Sequence, residues 1–321
     1  MALDTQYHFP VPEVERACHY TSTQGLISIL QNHALRASSA AFMNDANEMR
    51  SGARAFRTAF EARRAGLQSD EHTHVEHSGL MNEETAFSNF LLSAARDPDS
   101  LTLWRNYGVS EVAYSIELDG SQSLVPLVAR SGESHPSPPP DFYAPDEVAE
   151  DGTPIHYFPA DATFVLGGSW RDVDYIEGVD DPLIGKRLDE LIARYRKNRD
   201  AGKLVVTGYA NAPIDFMKDR GFSDEREVRC VFTVNPWWKF VRYRPTRFGI
   251  VPYIELTGGG GKMEEEWGSR GSWATTPQPL PVKRVTIGPN APHEAERALR
   301  SLLDQTGYGS ASVARSETPY R

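Results

Sequence analysis

The sequence predicts an α+β fold, in one elaborated domain covering residues 1–321. Three observations predict this class. Apolar runs of strand length recur along the chain, and residues 111–118 alternate apolar and polar side chains with the period of a half-buried strand. Helical spacing is clearest over residues 182–199, where apolar residues return on one side. The chain is also long enough, at 321 residues with 40% hydrophobic side chains, to bury a large core.

The composition of the chain limits the classes of partner that it is expected to bind. A net charge of −10 makes an extended nucleic-acid surface unexpected, although a local basic groove is still compatible with it. Cys18 and Cys230 both stand in apolar, strand-like runs, so they are expected to be buried thiols and not part of a disulfide or zinc scaffold. No secretory leader or apolar run of about 18 residues is visible. We therefore expect a cytoplasmic protein with no membrane partner.

The first elements place polar side chains at the end of a strand. Residues 18–22 are predicted to be a strand that runs into a helix, with N-cap oxygens from Thr21, Ser22 and Thr23. His19 lies beside these hydroxyls, where a polar ligand can bind. A second short strand follows at 35–39. The next helix is expected to run to about residue 65, and Asn44 and Asp45 are expected to cap it.

Further loops, strands and helices are predicted in the middle and at the end of the chain. Residues 66–79 contain three histidines and are predicted to be a solvated loop, because no further ligand follows at metal-site spacing. Further strands are predicted at 86–92, 111–118, 162–170, 173–176, 228–232, 241–244, 250–256, 282–288 and 312–314. Further helices are predicted at 101–107, 182–199, 209–218 and 293–306. A Pro/Ser/Gly-rich insertion is expected at 131–160 and a flexible Gly-rich loop at 257–275.

Several short motifs, in this order and spacing, resemble a widespread bacterial domain family of unknown function. They are His19-Tyr20-Thr21-Ser22, Asn44-Asp45 with Glu48, Trp104 with Tyr107-Gly108, Glu225 and Glu227-Val228-Arg229, and the terminal Ser316-Pro319-Tyr320-Arg321. The resemblance covers about residues 17–321. That family in turn looks like a distant branch of the ADP-ribosyltransferase fold. It implies a split, mostly antiparallel sheet with packed helices.

The resemblance also implies NAD as the substrate and a His–Tyr–Glu site. His19 would bind the ribose and amide side of NAD, and Tyr107 would stack on nicotinamide, with Tyr114 as the alternative ring. Glu225 and Glu227 compete for the catalytic carboxylate. Alternation along an extended strand puts both glutamates on the same side, and Glu227 is favoured because it is nearer the apolar run. In that run Val228, Cys230 and Phe232 are expected on one face and Glu227, Arg229 and Val231 on the other.

Other residues near these motifs are predicted to contact NAD: Tyr20, Thr21, Ser22, Arg36, Trp104 and Arg229. Arginine suits this role because its guanidinium group matches phosphate geometry. Structural explanations compete with each assignment. His19 could be a satisfied strand-end histidine, the aromatic residues could be core side chains, and the two glutamates could form ordinary ion pairs with neighbouring arginines.

The predicted function is NAD-dependent transfer of ADP-ribose to a macromolecular acceptor, either protein or nucleic acid. A toxin or phage-defence context follows by analogy alone. Cleaving the bond between nicotinamide and ribose builds positive charge on the sugar, which a nearby carboxylate stabilises without a metal. Two alternatives stay open: an NAD glycohydrolase, and a non-catalytic module that senses or binds a nucleotide.

Overall fold

The structure is a computed structural model of the chain. It describes residues 14–42, 46–78, 80–81, 89–108, 111–128, 165–202, 213–234, 238, 240–246, 249–259 and 273–319, with the backbone alone at 46–51, 166 and 213. The predicted insertion at 131–160 and the predicted helix cap at Asn44 and Asp45 lie outside these residues.

The described residues form thirteen strands and six α-helices, joined by several 3-10 turns. The strands are β1 (Arg16–Ser22), β2 (Leu35–Ser39), β3 (Asn89–Ala95), β4 (Ala113–Asp119), β5 (Val125–Pro126), β6 (Val165–Asp172), β7 (Asp174–Ile176), β8 (Met217–Asp219), β9 (Glu227–Val234), β10 (Arg242–Thr246), β11 (Gly249–Thr257), β12 (Val282–Ile287) and β13 (Ser312–Arg315). The helices are α1 (Thr23–Asn32), α2 (Ala46–Arg63), α3 (Ser69–Glu76), α4 (Leu101–Tyr107), α5 (Pro182–Asp200) and α6 (Ala295–Gln305).

Eleven strands form one sheet, which is antiparallel except for the pairing of β12 with β13. Its main path runs β10-β11-β2-β3-β1-β4-β12-β13, while β9 pairs with β3, β6 with β9, and β5 with β11. Strands β7 and β8 form a separate parallel pair. The α+β class and the mostly antiparallel sheet are therefore confirmed.

The sheet divides along one edge of β3. On that edge β2 pairs with β3 at Leu91 and Phe90, and β1 pairs with β3 at Ala95. The opposite edge of β3 carries a continuous ladder with β9, in which Ser93 lies opposite Arg229. A gap therefore separates β1 from β2 along the stretch of β3 that contains Ser93.

The two faces of the sheet differ in chemistry. Alternate residues of the strands, including Val228 and Cys230 of β9, form the main hydrophobic core together with residues of α1 and α6. We call this side the core face. The opposite side carries Glu227 and Arg229, and we call it the charged face. The predicted alternation of β9, with Val228, Cys230 and Phe232 on the opposite side from Glu227, Arg229 and Val231, is confirmed.

A second hydrophobic cluster joins helices α2, α3 and α5 to the β7–β8 pair. Its largest buried side chains include Phe56 and Phe60 of α2 and Leu188 of α5. A 3-10 turn at Pro213–Phe216 leads into β8, and Phe216 packs on Leu91 and Val231 of the charged face. This layer therefore covers part of the charged face and brings β8 to the start of β9.

Several predicted boundaries are wrong. The histidine-rich segment is not a loop throughout, because Gln68 and Glu71 form a capping box that starts α3. Strand β3 extends three residues beyond its predicted end, to Ala95. Within the predicted helix at 209–218, the described residues form a 3-10 turn and β8. The predicted Gly-rich loop at 257–275 is fixed at its far end, where Ala274 donates its N–H to the carbonyl of Pro126.

Candidate functional site

The two candidate glutamates lie on either side of a left-handed residue. Residues Arg220–Glu225 form a 3-10 turn, Arg226 has φ 45°, and β9 begins at Glu227. The prediction that both glutamates alternate along one extended strand is therefore wrong. The turn at Arg226 instead directs both carboxylates to the ammonium group of Lys218 on β8.

Four charged side chains form a chain of ion pairs on the charged face. The Nζ atom of Lys218 lies 2.9 Å from Oε2 of Glu225 and 3.0 Å from Oε2 of Glu227. The guanidinium group of Arg229 donates to both oxygens of Glu227, at 2.7 and 3.2 Å. It also donates to the carbonyl of Asp215 at 3.0 Å, which fixes its plane. We call these four residues the ion-pair chain.

The two glutamates of the ion-pair chain differ in accessibility. Glu227 is 6% exposed; burial opposes its ionisation, but the charge and hydrogen bonds of Arg229, followed by Lys218, outweigh burial and lower its pKa to about 2. The side chain of Glu225 is 18% exposed, and its Oε1 atom has no hydrogen-bond partner among the described residues. Glu225 is therefore the carboxylate that a ligand can reach, whereas Glu227 holds the two cations in place.

Two exposed aromatic rings flank the ion-pair chain. Phe222 is 43% exposed and lies with its ring centroid 4.8 Å from Nζ of Lys218. Tyr107, at the end of α4, is 47% exposed, yet burial and then the charges of Glu225 and Glu227 raise its pKa. The Tyr107 ring therefore lies near both carboxylates of the ion-pair chain while part of it faces solvent. The rings and carboxylates together can bind a flat, cationic group.

Two residues predicted to contact NAD are buried beside Tyr107, at helix α4. Trp104 is 1% exposed and donates its indole N–H to Asp99 at 2.6 Å. Tyr20 donates its hydroxyl to the carbonyl of Asp97 and accepts the N–H of Ser100, both at 2.8 Å. The Tyr20 ring packs edge-on against Trp104 and lies 6.2 Å from the ring of Tyr107. Both residues therefore position α4 and are too enclosed to stack on a ligand.

Asp99 joins distant segments of the chain. Its carboxylate accepts hydrogen bonds from the hydroxyl of Ser316, the N–H of Glu317 at 2.9 Å and the indole of Trp104. Its carbonyl accepts the hydroxyl of Thr318 at 3.0 Å. The segment that begins with Ser316 is thus attached to the helix that carries Tyr107. A buried tryptophan five residues after an aspartate is the only signal for this in the sequence.

His19 is directed at the other side of the sheet. It alternates with Cys18 and Tyr20, which both pack on α4 at the charged face. Its Nδ1 atom lies 3.1 Å from the carbonyl oxygen of Ser93, so Nδ1 carries the proton. Burial lowers its pKa, which favours the neutral ring with an unprotonated Nε2. The structure therefore does not place His19 beside the glutamates on one face.

Ser93 nevertheless connects the two sides. Its carbonyl accepts from His19 at the gap between β1 and β2, while its hydroxyl lies near Glu227 and helps to lower the pKa of that carboxyl group. The hydroxyl makes no hydrogen bond of regular geometry to the described residues. His19 and Glu227 are thus linked through one residue of β3.

The remaining predicted contacts have separate roles. Ser22 caps α1, since its hydroxyl accepts the N–H of Gly25 at 3.1 Å, as the sequence predicted. Thr21 is buried against Gly25 on the core face. Arg229 donates to Glu227 and to the carbonyls of Asp215 and Met217, so its guanidinium group is engaged within the chain. Arg36 lies exposed on β2, with its guanidinium carbon 5.0 Å from the ring centroid of Tyr253.

Metal binding, membrane insertion and surface grooves were the other possibilities for the described residues, and none of them involves the ion-pair chain. They contain no group of three or more histidine, cysteine or acidic side chains placed to hold a metal ion. None of their helices is long and apolar enough to cross a membrane. An open groove between α2 and the start of α5, of about 770 Å³, is lined by none of the residues of the ion-pair chain.

Comparison with known proteins yields no relative. No family model matches the chain, and searches of curated proteins and of solved structures find no significant match. The resemblance of the motifs therefore stays a hypothesis, and the geometry of the described residues is the basis for a functional proposal.

Proposed function

We propose that the chain binds NAD over the ion-pair chain and transfers its ADP-ribose group to an acceptor. The observation that carries this proposal is the Glu225 carboxylate, which has one unengaged oxygen among the described residues, lies near the exposed ring of Tyr107, and shares Lys218 with the exposed ring of Phe222. The split sheet around β3 is consistent with the fold that the motifs imply.

The chemistry requires a carboxylate and an aromatic surface at one place. The bond between ribose C1 and the nicotinamide nitrogen breaks, and its electron pair neutralises the pyridinium ring. Positive charge develops on the ribose, and Glu225 stabilises it. An acceptor oxygen then bonds to C1 and loses its proton, for which Glu225 is the nearest base.

The surrounding residues hold this arrangement. Tyr107 or Phe222 stacks on the nicotinamide ring and orients the leaving group. Lys218 shares its ammonium group between Glu225 and Glu227, which fixes the first carboxylate against the buried second one. In this scheme Glu227 positions the site and does not touch the ligand.

The test is release of nicotinamide from NAD by the purified chain. Glu225→Gln should lower the rate at least about a hundredfold, because a stabilising charge in the transition state is lost. Asp224→Asn is the matched control, since it removes one exposed acidic charge next to Glu225 but outside the ion-pair chain. Analysis of products then separates the activities: modified acceptor marks a transferase and free ADP-ribose marks a glycohydrolase.

Two results would refute the proposed catalytic role. One is a Glu225→Gln variant that cleaves NAD at the wild-type rate. The other is a wild-type protein that neither cleaves nor binds NAD.

A nucleotide-binding module without catalysis is the second candidate. The observation that favours it is the placement of His19 on the core face, which leaves the charged face without the histidine of a His–Tyr–Glu site. Binding of NAD without release of nicotinamide would favour this candidate.

A further inference from the structure

Three arginines lie together on the charged face, away from the ion-pair chain. Arg36 is on β2, and Arg242 and Arg244 are on the edge strand β10. Ser38 lies opposite Tyr253, and Tyr253 in turn lies opposite Arg242, so the side chains of these residues share one face. Ser38 also lies opposite Leu91 of β3, whose side chain is on the charged face.

Contacts across the strands hold the guanidinium groups above β11. Arg244 reaches over β11 to donate to the hydroxyl of Ser38 at 2.9 Å. Arg36 approaches the same strand from the other side and lies over the ring of Tyr253. Arg242 is paired with Glu255 at 3.3 Å. Glu255 is the one acidic residue in the sequences of β2, β10 and β11, so these strands carry a local positive charge in a chain of net charge −10.

Part of this hydrogen-bonding capacity is unused. The Nε atom of Arg244 is buried and has no hydrogen-bond partner among the described residues. Arg36 is exposed, and the contact found for its guanidinium group is the face of Tyr253. A buried N–H without a partner is costly, and a phosphate oxygen is a strong acceptor for it.

We propose that Arg36, Arg244 and Ser38 form a phosphate-binding subsite, with Arg242 adding charge beside it. The chemistry of the ligand is a phosphate or diphosphate group, which guanidinium groups bind through paired hydrogen bonds. The hydroxyl of Ser38 orients Arg244, and the ring of Tyr253 supports Arg36.

The position of this subsite limits which phosphate it takes. Ser38 and Val231 both pair with Leu91, so their backbones are about 10 Å apart, and Glu227 lies four residues further along β9, about 13 Å. The subsite is thus on the order of 15 Å from the ion-pair chain. The diphosphate of NAD lies closer to the scissile bond than this, but the long arginine side chains can span part of the distance between the backbones. Both this diphosphate and a phosphate on the acceptor therefore lie within reach. The identity of the ligand rests on the proposed function, but the binding of phosphate does not.

The direct test uses inorganic pyrophosphate and calorimetric titration of the full chain. Arg36→Gln and Arg244→Gln should each weaken pyrophosphate binding about tenfold, as expected for loss of one charge-assisted contact. Arg300→Gln is the matched control, because it removes an exposed arginine that is paired with Glu296 on α6. Arg36 is exposed, so its variant should fold as the wild type does, which thermal unfolding can check.

Turnover measurements then identify the source of the phosphate. A raised KM for NAD with unchanged kcat in Arg36→Gln and Arg244→Gln assigns the subsite to the dinucleotide. An unchanged KM, with weaker binding of a short single-stranded oligonucleotide, assigns it to the acceptor. Both results support the subsite.

The proposal is wrong if the wild-type chain does not bind pyrophosphate, or if Arg300→Gln weakens binding as much as the other two variants. If Glu225→Gln loses nicotinamide release but still binds pyrophosphate, phosphate binding at the subsite does not depend on the proposed catalytic role of Glu225.

Discussion

Replacing Glu227 by glutamine should lower the free energy of unfolding by about 3 kcal/mol at pH 7. The pKa of this carboxyl group is about 2 in the folded chain and 4.5 in its ordinary state, and each unit of difference corresponds to about 1.4 kcal/mol. The side chain is 6% exposed, so solvent does little to screen the interaction. The variant also leaves two buried cations without their shared anion, an arrangement that typically costs 3–5 kcal/mol.

The effect has a defined dependence on pH. Because the folded pKa lies below the unfolded one, the stabilisation is fully present above about pH 4.5 and disappears as the pH falls towards 2. The difference between wild type and Glu227→Gln should therefore shrink from about 3 kcal/mol at pH 7 to about 1 kcal/mol at pH 3. Other acids titrate in the same range, but they are common to both proteins and cancel in the difference.

Urea unfolding monitored by tryptophan fluorescence measures these quantities. Glu225→Gln is the matched control, since it removes a carboxylate from the same lysine at a more exposed position and should cost about 1 kcal/mol or less. A difference that does not change between pH 7 and pH 3 would refute the reasoning. So would a larger loss in Glu225→Gln than in Glu227→Gln.

Three further predictions follow from single side chains. Burial raises the pKa of Asp215 to about 7, so the folded chain favours the protonated carboxyl group and its stability falls as the pH rises from 3.8 to 7. Asp215→Asn should therefore be more stable than wild type by up to about 4 kcal/mol at pH 8 and equal to it near pH 3. Urea unfolding at the two pH values measures this difference. Ser22→Ala removes the cap of α1 and should cost about 1 kcal/mol in the same assay, whereas an unchanged midpoint would show that the cap is not needed. Asp99→Ala should speed hydrogen exchange at the Glu317 amide and shift the emission of Trp104, and an unaltered exchange rate would show that the C-terminal segment is held by other contacts.

Periodicity in the sequence is a good guide wherever burial alone decides the structure. The alternation of β9 and the helical face of α5 are read correctly because a one-residue shift would expose their apolar side chains. The cap at Ser22 is read correctly because a hydroxyl before a helix has a local partner.

The site is harder to read because it depends on turns and on pairing between distant strands. No local pattern indicates that Arg226 adopts a left-handed conformation, yet this residue decides where the Glu225 carboxylate lies. Lys218 could not be identified from the sequence, because its strand is only three residues long and depends on packing against α2 and α5. Arg244 meets Ser38 only because β11 lies between their strands, a neighbourhood that residue spacing cannot reveal.

The division of the sheet along β3 affects how a ligand would influence the protein. On the divided edge β3 meets β1 at one residue pair and β2 at two, whereas its other edge has seven pairs with β9. The two wings of the sheet are thus joined by few backbone hydrogen bonds on that edge, and the width of the gap can change without breaking a long ladder. A ligand that contacted both Tyr107, whose helix packs on β1, and Arg36 on β2 would join the two sides of the gap. Its binding would then stabilise the folded chain against unfolding.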